Sequence, residues 1–220
     1  MIIDKTYFKG NLRIPNVQTD LAPLGDRMGN QVDLDAYILQ YEKEVMIYAL
    51  GYAAYKSFID SFEIDGTLKP GAEQKWVDLV NGKEYTNDRG DLVKWEGLRY
   101  NQGAFKYSLI ADYVFSKFLN DHSRTFAGTG MVKEGAKGAT VESSIPRVAE
   151  SWDTFIDKYQ GNATEVDYPR LVQKAGLVGI DWTSNYDEVN ITLFRYLSDN
   201  SADYPDVKFS FFGRINSFGI

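Results

Sequence analysis

The stretch of sequence that decides the fold is Leu109-Ile110-Ala111-Asp112-Tyr113-Val114-Phe115. Phe118 and Leu119 continue it, so a helix here would be apolar around almost its whole circumference. A helix with that pattern is expected to lie buried between other layers. The sequence therefore predicts a central helix over residues 101–121, with the other elements packed around it.

A long helix is predicted upstream, because apolar residues recur there every three or four positions. The members of this stripe are Leu34, Ile38, Tyr41, Val45, Tyr48, Tyr52, Tyr55, Ile59 and Phe62. Asp33 is suited to the N-cap of this helix. Gly51 lies inside it at a cost of about 1 kcal/mol relative to alanine, which indicates a bend or a close helix contact.

The remaining elements are shorter. Turn residues at 87–91 separate two possible short strands, and a short helix is predicted over 72–80, before the Asn81-Gly82 stop signal. A clean apolar stripe predicts a third long helix over 145–159. Shorter helices are predicted over 168–174 and 187–197.

The predicted fold class is mainly α, a helical bundle core with extended arms, a long Gly-rich loop and a few short strands. Residues 1–32 form an extended N-terminal arm in this prediction. The helical core covers 33–200 and contains the Gly-rich loop at 122–140, and 201–220 form an extended apolar tail. Free chain ends are usually polar, so this tail is expected to be buried on its own body or on a neighbour.

The composition excludes several classes of protein. The 220 residues include no cysteine and one histidine, His122, so disulfides and most zinc sites are excluded. A formal net charge of −7 disfavours extensive binding to phosphate backbones. No run approaches the roughly 20 apolar residues that span a bilayer, so we predict a protein made in the cytoplasm with no membrane association.

Motifs of catalysis and cofactor binding are also missing. The glycines near Gly128 lack the Lys-Ser/Thr ending of a phosphate loop, and the acidic turn at 181–187 departs from a calcium loop. We therefore predict no catalytic residue, no cofactor and no metal ligand, and a chain that is not an enzyme. Asp112 is expected to have a structural role, either paired with a group such as Arg99 or as a backbone cap. Glu42 and Glu44 are expected on the solvated side of the first helix.

Four motifs together carry a resemblance to a known family. They are Trp95-Glu96-Gly97-Leu98, the run at 109–115, Phe118-Leu119-Asn120-Asp121 and the closing Asn216-Ser217-Phe218-Gly219-Ile220. In this order the chain resembles head–tail connector (adaptor, ring or neck) proteins of tailed bacteriophages, especially of Bacteroidetes phages including the crAss-like group. The resemblance covers roughly residues 35–160 and the tail.

The resemblance implies a structural virion protein of the neck region. It implies a cyclic ring, commonly of twelve copies, that contacts the portal protein and other neck or tail proteins, while double-stranded DNA passes through without specific binding. Residues 141–220 extend beyond a small adaptor, which leaves the position in the stack open. The predicted contact residues are Thr125, Phe126, Gly128 and Met131 in the loop, and Phe211, Phe212, Ile215 and Phe218 in the tail.

Two other classes of function stay open at this stage. A tail-associated or carbohydrate-binding virion module would use the abundant Tyr and Trp side chains for sugar stacking, although such modules are usually rich in strands. A hydrolase with an acidic site is less favoured, because it requires a pocket in which several perturbed carboxylates converge.

Overall fold

The computed structural model describes residues 1–14, 34–87, 90–122, 125–127, 130–132, 145–161 and 191–214. The helices are α1 (Leu34–Ile59), α2 (Gln74–Asn81), α3 (Leu109–His122), α4 (Ile145–Tyr159) and α5 (Leu193–Asp199). Antiparallel pairs are formed by β1 (Lys83–Thr86) with β2 (Leu92–Trp95), β3 (Tyr100–Gln102) with β4 (Phe105–Tyr107), and β5 (Thr125–Ala127) with β6 (Gly130–Val132). The described part of the chain is thus mainly helical with small antiparallel hairpins.

The central layer of the fold is α3, which packs against α1 and against α4. Every residue from Leu109 to Ser116 is buried, as the apolar sequence predicted. Ser108 fixes the start of this helix, since its hydroxyl accepts the N–H of Ile110 at 3.1 Å and donates to the carbonyl oxygen of Leu98 at 2.6 Å. A serine in this position is a common helix N-cap.

The predicted start of this helix at residue 101 is wrong, because residues 100–107 form the β3–β4 hairpin. Gly103 adopts φ +61 at the turn, a left-handed conformation that ends a helix and suits a tight hairpin. The rings of Tyr100 and Tyr107, which face each other across the two strands, stack with centroids 5.4 Å apart. Residues 101–106 are exposed, so the buried environment begins only at Ser108.

Gly51 divides α1 into two helical halves. It adopts φ 74 and ψ 160, which no residue in a regular helix has, so the predicted bend is confirmed. The predicted apolar stripe is not continuously buried around this break, since Tyr48 before it is 40% exposed and Phe62 beyond it is buried. Leu34, Ile38 and Val45 are buried, whereas Tyr52, just beyond the break, is 69% exposed.

The shorter elements agree with their sequence signals at most boundaries. Gly82 ends α2 with φ 89, and the β1–β2 hairpin flanks the predicted turn at 87–91. The prediction of α4 over 145–159 is confirmed. Thr192 caps α5 by accepting the N–H of Arg195, so this helix begins later than residue 187; the predicted helix at 168–174 lies outside the described residues.

Residues 1–14 of the predicted N-terminal arm form two 3₁₀ turns that pack onto the helical core. Ile2 and Ile3 are buried, and their N–H groups donate to the Glu42 carboxylate at 2.7 and 3.0 Å. The prediction that Glu42 is solvated is therefore wrong, since this side chain holds the N-terminal segment against α1. The rest of the predicted arm lies outside the described residues.

Candidate assembly site

The C-terminal strap, which we define as residues 207–214, lies in an extended conformation between α1 and α4. On the α1 side, the N–H of Lys208 donates to the carbonyl oxygen of Leu50 at 3.0 Å. The N–H of Ser210 donates to the carbonyl oxygen of Tyr48 at 2.8 Å. Over this part the predicted apolar tail thus packs on its own chain, although its residues are half-buried or exposed and none is fully buried.

The break at Gly51 explains why α1 can receive the strap. A non-helical residue disrupts the regular ladder of helix hydrogen bonds, and carbonyl groups next to such a break need outside partners. The strap amides are partners for two of them. A β-carbon at Gly51 would lie 3.0 Å from Cβ of Lys208, so the close approach depends on glycine.

The α4 side of the groove binds the strap through side chains. Gln160 pairs with Phe212 through both polar atoms of its amide, at 2.9 and 2.8 Å. The hydroxyl of Tyr159 donates to the carbonyl oxygen of Ser210 at 3.0 Å, and Nε1 of Trp152 donates to that of Gly213 at 2.8 Å. Six backbone groups of the strap are therefore held by α1, α4 and the residue that follows α4.

Aromatic packing adds to these hydrogen bonds. The ring of Phe212 lies 5.1 Å from that of Tyr159 and 5.4 Å from that of Trp152, centroid to centroid. Phe209 stacks on Tyr159 at 4.5 Å, and Phe211 meets Phe194 of α5 edge-on at 5.0 Å. Aromatic pairs in these geometries contribute beyond the area that they bury. The strap therefore packs against the aromatic core through the partly buried Phe209 and Phe212.

Arg214 ends the described strap with ion pairs on the surface. Its Nη2 lies 2.5 Å from Oδ1 of Asp157, and its Nη1 lies 3.5 Å from Oδ1 of Asp153. The guanidinium side chain is 41% exposed, so solvent screens these pairs and their contribution to stability is small. These pairs join the end of the strap to the exposed side of α4.

The predicted contact residues fall into three groups. Phe211 and Phe212 belong to the strap and contact rings of their own chain. The backbones of Thr125, Phe126 and Met131 form the β5–β6 hairpin. Gly128, Ile215 and Phe218 lie outside the described residues. Sequence reasoning missed Gln160, Tyr159 and Trp152 as partners of the strap, because only the periodicity of α4 was visible.

Asp112, the buried acid of α3, is paired as expected but with a different partner. Its Oδ2 lies 2.6 Å from Nζ of Lys158 on α4. The partner predicted as an example, Arg99, instead donates to the carbonyl oxygens of Ile2 and Gly66, both at 3.1 Å. Burial raises the pKa of Asp112, while the nearby Lys158 ammonium opposes that rise. The pair joins α3 to α4 in a structural role.

A cleft of about 360 Å³ lies beside this pair, bounded by β2, β3, α3 and α4. Its lining includes the polar side chains of Tyr100, Asn101, Gln102 and Lys158. Burial raises the pKa of the Tyr100 hydroxyl above its ordinary value. Within the described residues, no group of three or more His, Cys, Asp or Glu side chains is placed to hold a metal ion.

Comparison with known proteins adds no relative. No protein-family model matches the chain, and no curated protein or solved structure is significantly similar to it. Among the helices described above, none combines the length and the apolar character needed to cross a membrane. The strap and its groove are consequently the features from which a function can be proposed.

Proposed function

We propose that this chain is a structural virion subunit, a head–tail connector ring protein that joins the portal to the tail and surrounds the DNA passage. The observation that carries this proposal is the strap, an extended segment held mainly through its backbone by distant helices. Extended segments that bind through main-chain hydrogen bonds are a recurrent means of joining protein chains. Such a segment suits a protein whose work is assembly.

The surface beside the groove supports the same role. Tyr48 is 40% exposed and contacts Phe212 with its ring, and Tyr52, just beyond the break at Gly51, is more exposed. Tyrosine is enriched at protein interfaces because its large apolar ring carries a polar tip. Two exposed tyrosines beside an aromatic groove are therefore suited to contact a neighbouring subunit.

The charge of the chain is compatible with a DNA passage. A formal net charge of −7 repels the phosphate backbone, so DNA can slide past without being gripped. In the proposed assembly the partners are further copies of this chain in a closed ring, commonly of twelve. The portal protein and other neck or tail proteins contact the faces of this ring. The ring contact is heterologous, so each subunit uses two different surfaces.

The mass of the purified protein and its presence in particles test this proposal. We expect native mass spectrometry to find a closed oligomer of defined copy number, and electron microscopy of antibody-labelled particles to place the chain at the neck. A chain that stays monomeric over the accessible concentration range and is absent from particles would overturn the proposal.

Removal of the tail tests its part in assembly. Deleting residues 209–220 is expected to lower the stability of the fold and to weaken assembly while the core helices still fold, so the far-UV circular dichroism spectrum should remain helical. The F105A variant, which removes an exposed ring on β4, is the matched control and should assemble normally. Normal assembly of the truncated chain would show that the tail has no role.

The cleft lined by Tyr100, Asn101 and Gln102 favours one second candidate, a tail-associated virion module that binds carbohydrate. Hydroxyl and amide groups beside an aromatic ring suit a neutral sugar, and the volume falls in the range of ligand sites. Titration of the full chain with neutral oligosaccharides tests this candidate. Binding that is lost in Y100A but kept in F105A would favour it over the ring protein.

A further inference from the structure

We infer that the groove between α1 and α4 takes the strap of a second copy of this chain, so that neighbouring subunits exchange residues 207–214. This inference rests on the proposed function, because it names the contact through which subunits of the ring are joined. It also assigns the tail residues Phe211 and Phe212 to an interface with the α1–α4 groove of the neighbouring subunit.

The contacts of the strap do not depend on its covalent connection. Its hydrogen-bond partners on α1 precede it by more than 150 residues, and those around the end of α4 precede it by about 50. All six of these bonds reach backbone atoms of the strap, which are the same in every copy. A strap from a neighbour can therefore make the same six bonds, which is the condition for an exchange of identical elements between subunits.

The segment before the strap has the form of a hinge. Tyr204 is buried, and its hydroxyl donates to the carbonyl oxygen of Lys75 at 2.6 Å. Pro205 and Asp206 follow, both exposed, and the turn closes with the N–H of Val207 donating to the carbonyl oxygen of Tyr204 at 3.2 Å. Straightening this turn costs that backbone hydrogen bond, leaves Tyr204 anchored and points the strap away from its own groove.

The length of the hinge restricts where the neighbour lies. Residues 205–207 span at most about 10 Å when extended. The neighbour's Gly51, against which Lys208 lies, must therefore approach the anchored Tyr204 of the donating subunit. That arrangement brings the exposed Tyr48 and Tyr52 of α1 to the contact with the donor's 200–206 turns. Since the two surfaces differ, the contact is heterologous and can close into a ring.

Concentration decides which groove a strap occupies. A tethered strap experiences an effective concentration in the millimolar range for its own groove, so a dilute subunit keeps its own strap. Inside a ring the neighbour's groove is equally close, and exchange then adds contacts between subunits. Exchange is therefore expected in the assembled state and not in the dilute monomer.

The ion pair between Arg214 and Asp157 allows a direct test on the full chain. In R214K the substituted amine stays next to the Asp157 carboxylate, and a carbodiimide can join the two in an amide bond. The exposed position of Arg214 makes this change conservative for folding. Isotopically heavy and light R214K chains would be unfolded, mixed in equal amounts, refolded, assembled and cross-linked. Peptide mass spectrometry then identifies which chains are linked.

With exchange, about half of the linked peptide pairs should contain one heavy and one light chain, as random neighbours require. Dilution below the assembly concentration before cross-linking should reduce the mixed pairs to the background level. The unsubstituted chain is the control for chemistry, because its guanidinium does not couple. R214K/D157N, which has no carboxylate at position 157, is the control for the position of the cross-link.

Each result separates the two hypotheses. If the oligomers are closed but every linked pair joins two peptides with the same label, the exchange is overturned and the ring function still stands. If the protein is monomeric at every concentration and no linked pair mixes the two labels, both the exchange and the ring function are overturned. Mixed pairs in closed oligomers, absent from R214K/D157N, are the result that we expect.

Discussion

The side-chain amide of Gln160 pairs with the backbone of Phe212 in both directions. Nε2 of Gln160 donates to the carbonyl oxygen of Phe212 at 2.9 Å, and the N–H of Phe212 donates to Oε1 at 2.8 Å. Gln160 is 2% exposed, so water does not compete effectively for either bond. The Gln160 amide thus makes the two hydrogen bonds to Phe212 that a neighbouring β-strand would make, and the position of the strap depends on them.

We expect Q160A to destabilise the protein by about 2 kcal/mol, because two partly buried backbone groups of Phe212 lose their partner. Urea unfolding followed by tryptophan fluorescence measures this change. Q102A, at an exposed position on β3, is the matched control and should change stability by less than about 0.5 kcal/mol. Equal stabilities of the two variants would show that the strap does not rely on this pair.

A substitution at Gly51 should loosen the strap and strain the backbone together. Alanine at φ 74 costs about 1–3 kcal/mol in conformational strain, and its β-carbon would press on Lys208. Gly71 has a similar φ of +87 with nothing within 4 Å, so G71A reports strain alone. We expect hydrogen exchange of the Lys208 and Ser210 amides to accelerate in G51A and not in G71A. Unchanged protection in both variants would contradict the role of the break.

The stability of K158M should depend on pH. Burial raises the pKa of Asp112, so folding binds a proton, and the resulting stabilisation is present at low pH and lost as pH rises through the folded pKa. Removing the Lys158 cation raises that pKa further. We expect K158M to lose about 3 kcal/mol near pH 8 and to recover part of it near pH 5.

Urea unfolding at both pH values checks this expectation. The double variant D112N/K158M has no titrating group at position 112 and should show no such recovery. A constant deficit of K158M across this range would mean that removing the Lys158 cation does not change the protonation of Asp112 between these pH values.

Glu42 should control the N-terminal segment. Its carboxylate accepts two buried N–H groups, so E42A is expected to destabilise the protein by about 2–3 kcal/mol. Amide exchange at Ile2 and Ile3 should accelerate by at least tenfold, while exchange within α4 changes only with global stability. E63A, which removes an exposed glutamate, should leave both amides protected. Slow exchange in E42A would show that the segment is held by its apolar side chains alone.

Phe212 should contribute more to stability than its partial exposure suggests. Its ring contacts five others, those of Tyr48, Tyr113, Trp152, Phe155 and Tyr159. We expect F212A to cost about 3 kcal/mol, at the lower end for a core phenylalanine. F105A removes an exposed ring and should cost less than about 1 kcal/mol. Thermal unfolding compares the two variants, and similar melting temperatures would contradict the placement of Phe212.

Local patterns predicted the elements whose signals are contained within a few turns of chain. The stripe from Ile145 to Tyr159 and the stop at Gly82 are of this kind. The β3–β4 hairpin was missed because Phe105 and Tyr107 look like one more turn of an apolar helix. Ser108 was the available signal, since a serine before an apolar run is a typical cap.

The candidate site was less predictable, because its contacts join distant parts of the chain. Nothing local indicates that Lys208 meets Leu50 or that Gln160 meets Phe212. The glycine inside α1 was the one visible sign, and it did not name its partner. Tyr48 and Tyr52 were predicted on the apolar stripe, yet both are exposed, one on each side of the break at Gly51.

The break in α1 also sets an order in time during synthesis. Leu50 and Tyr48 leave the ribosome long before Lys208 and Ser210, which are made more than 150 residues later. The other wall of the groove, α4, ends about 50 residues before the strap, so at about 5–20 residues per second the complete groove stays open for roughly 2–10 seconds on every nascent chain. During that interval a completed copy made nearby can offer its own strap, so polysomes on one message would favour pairing between sister chains.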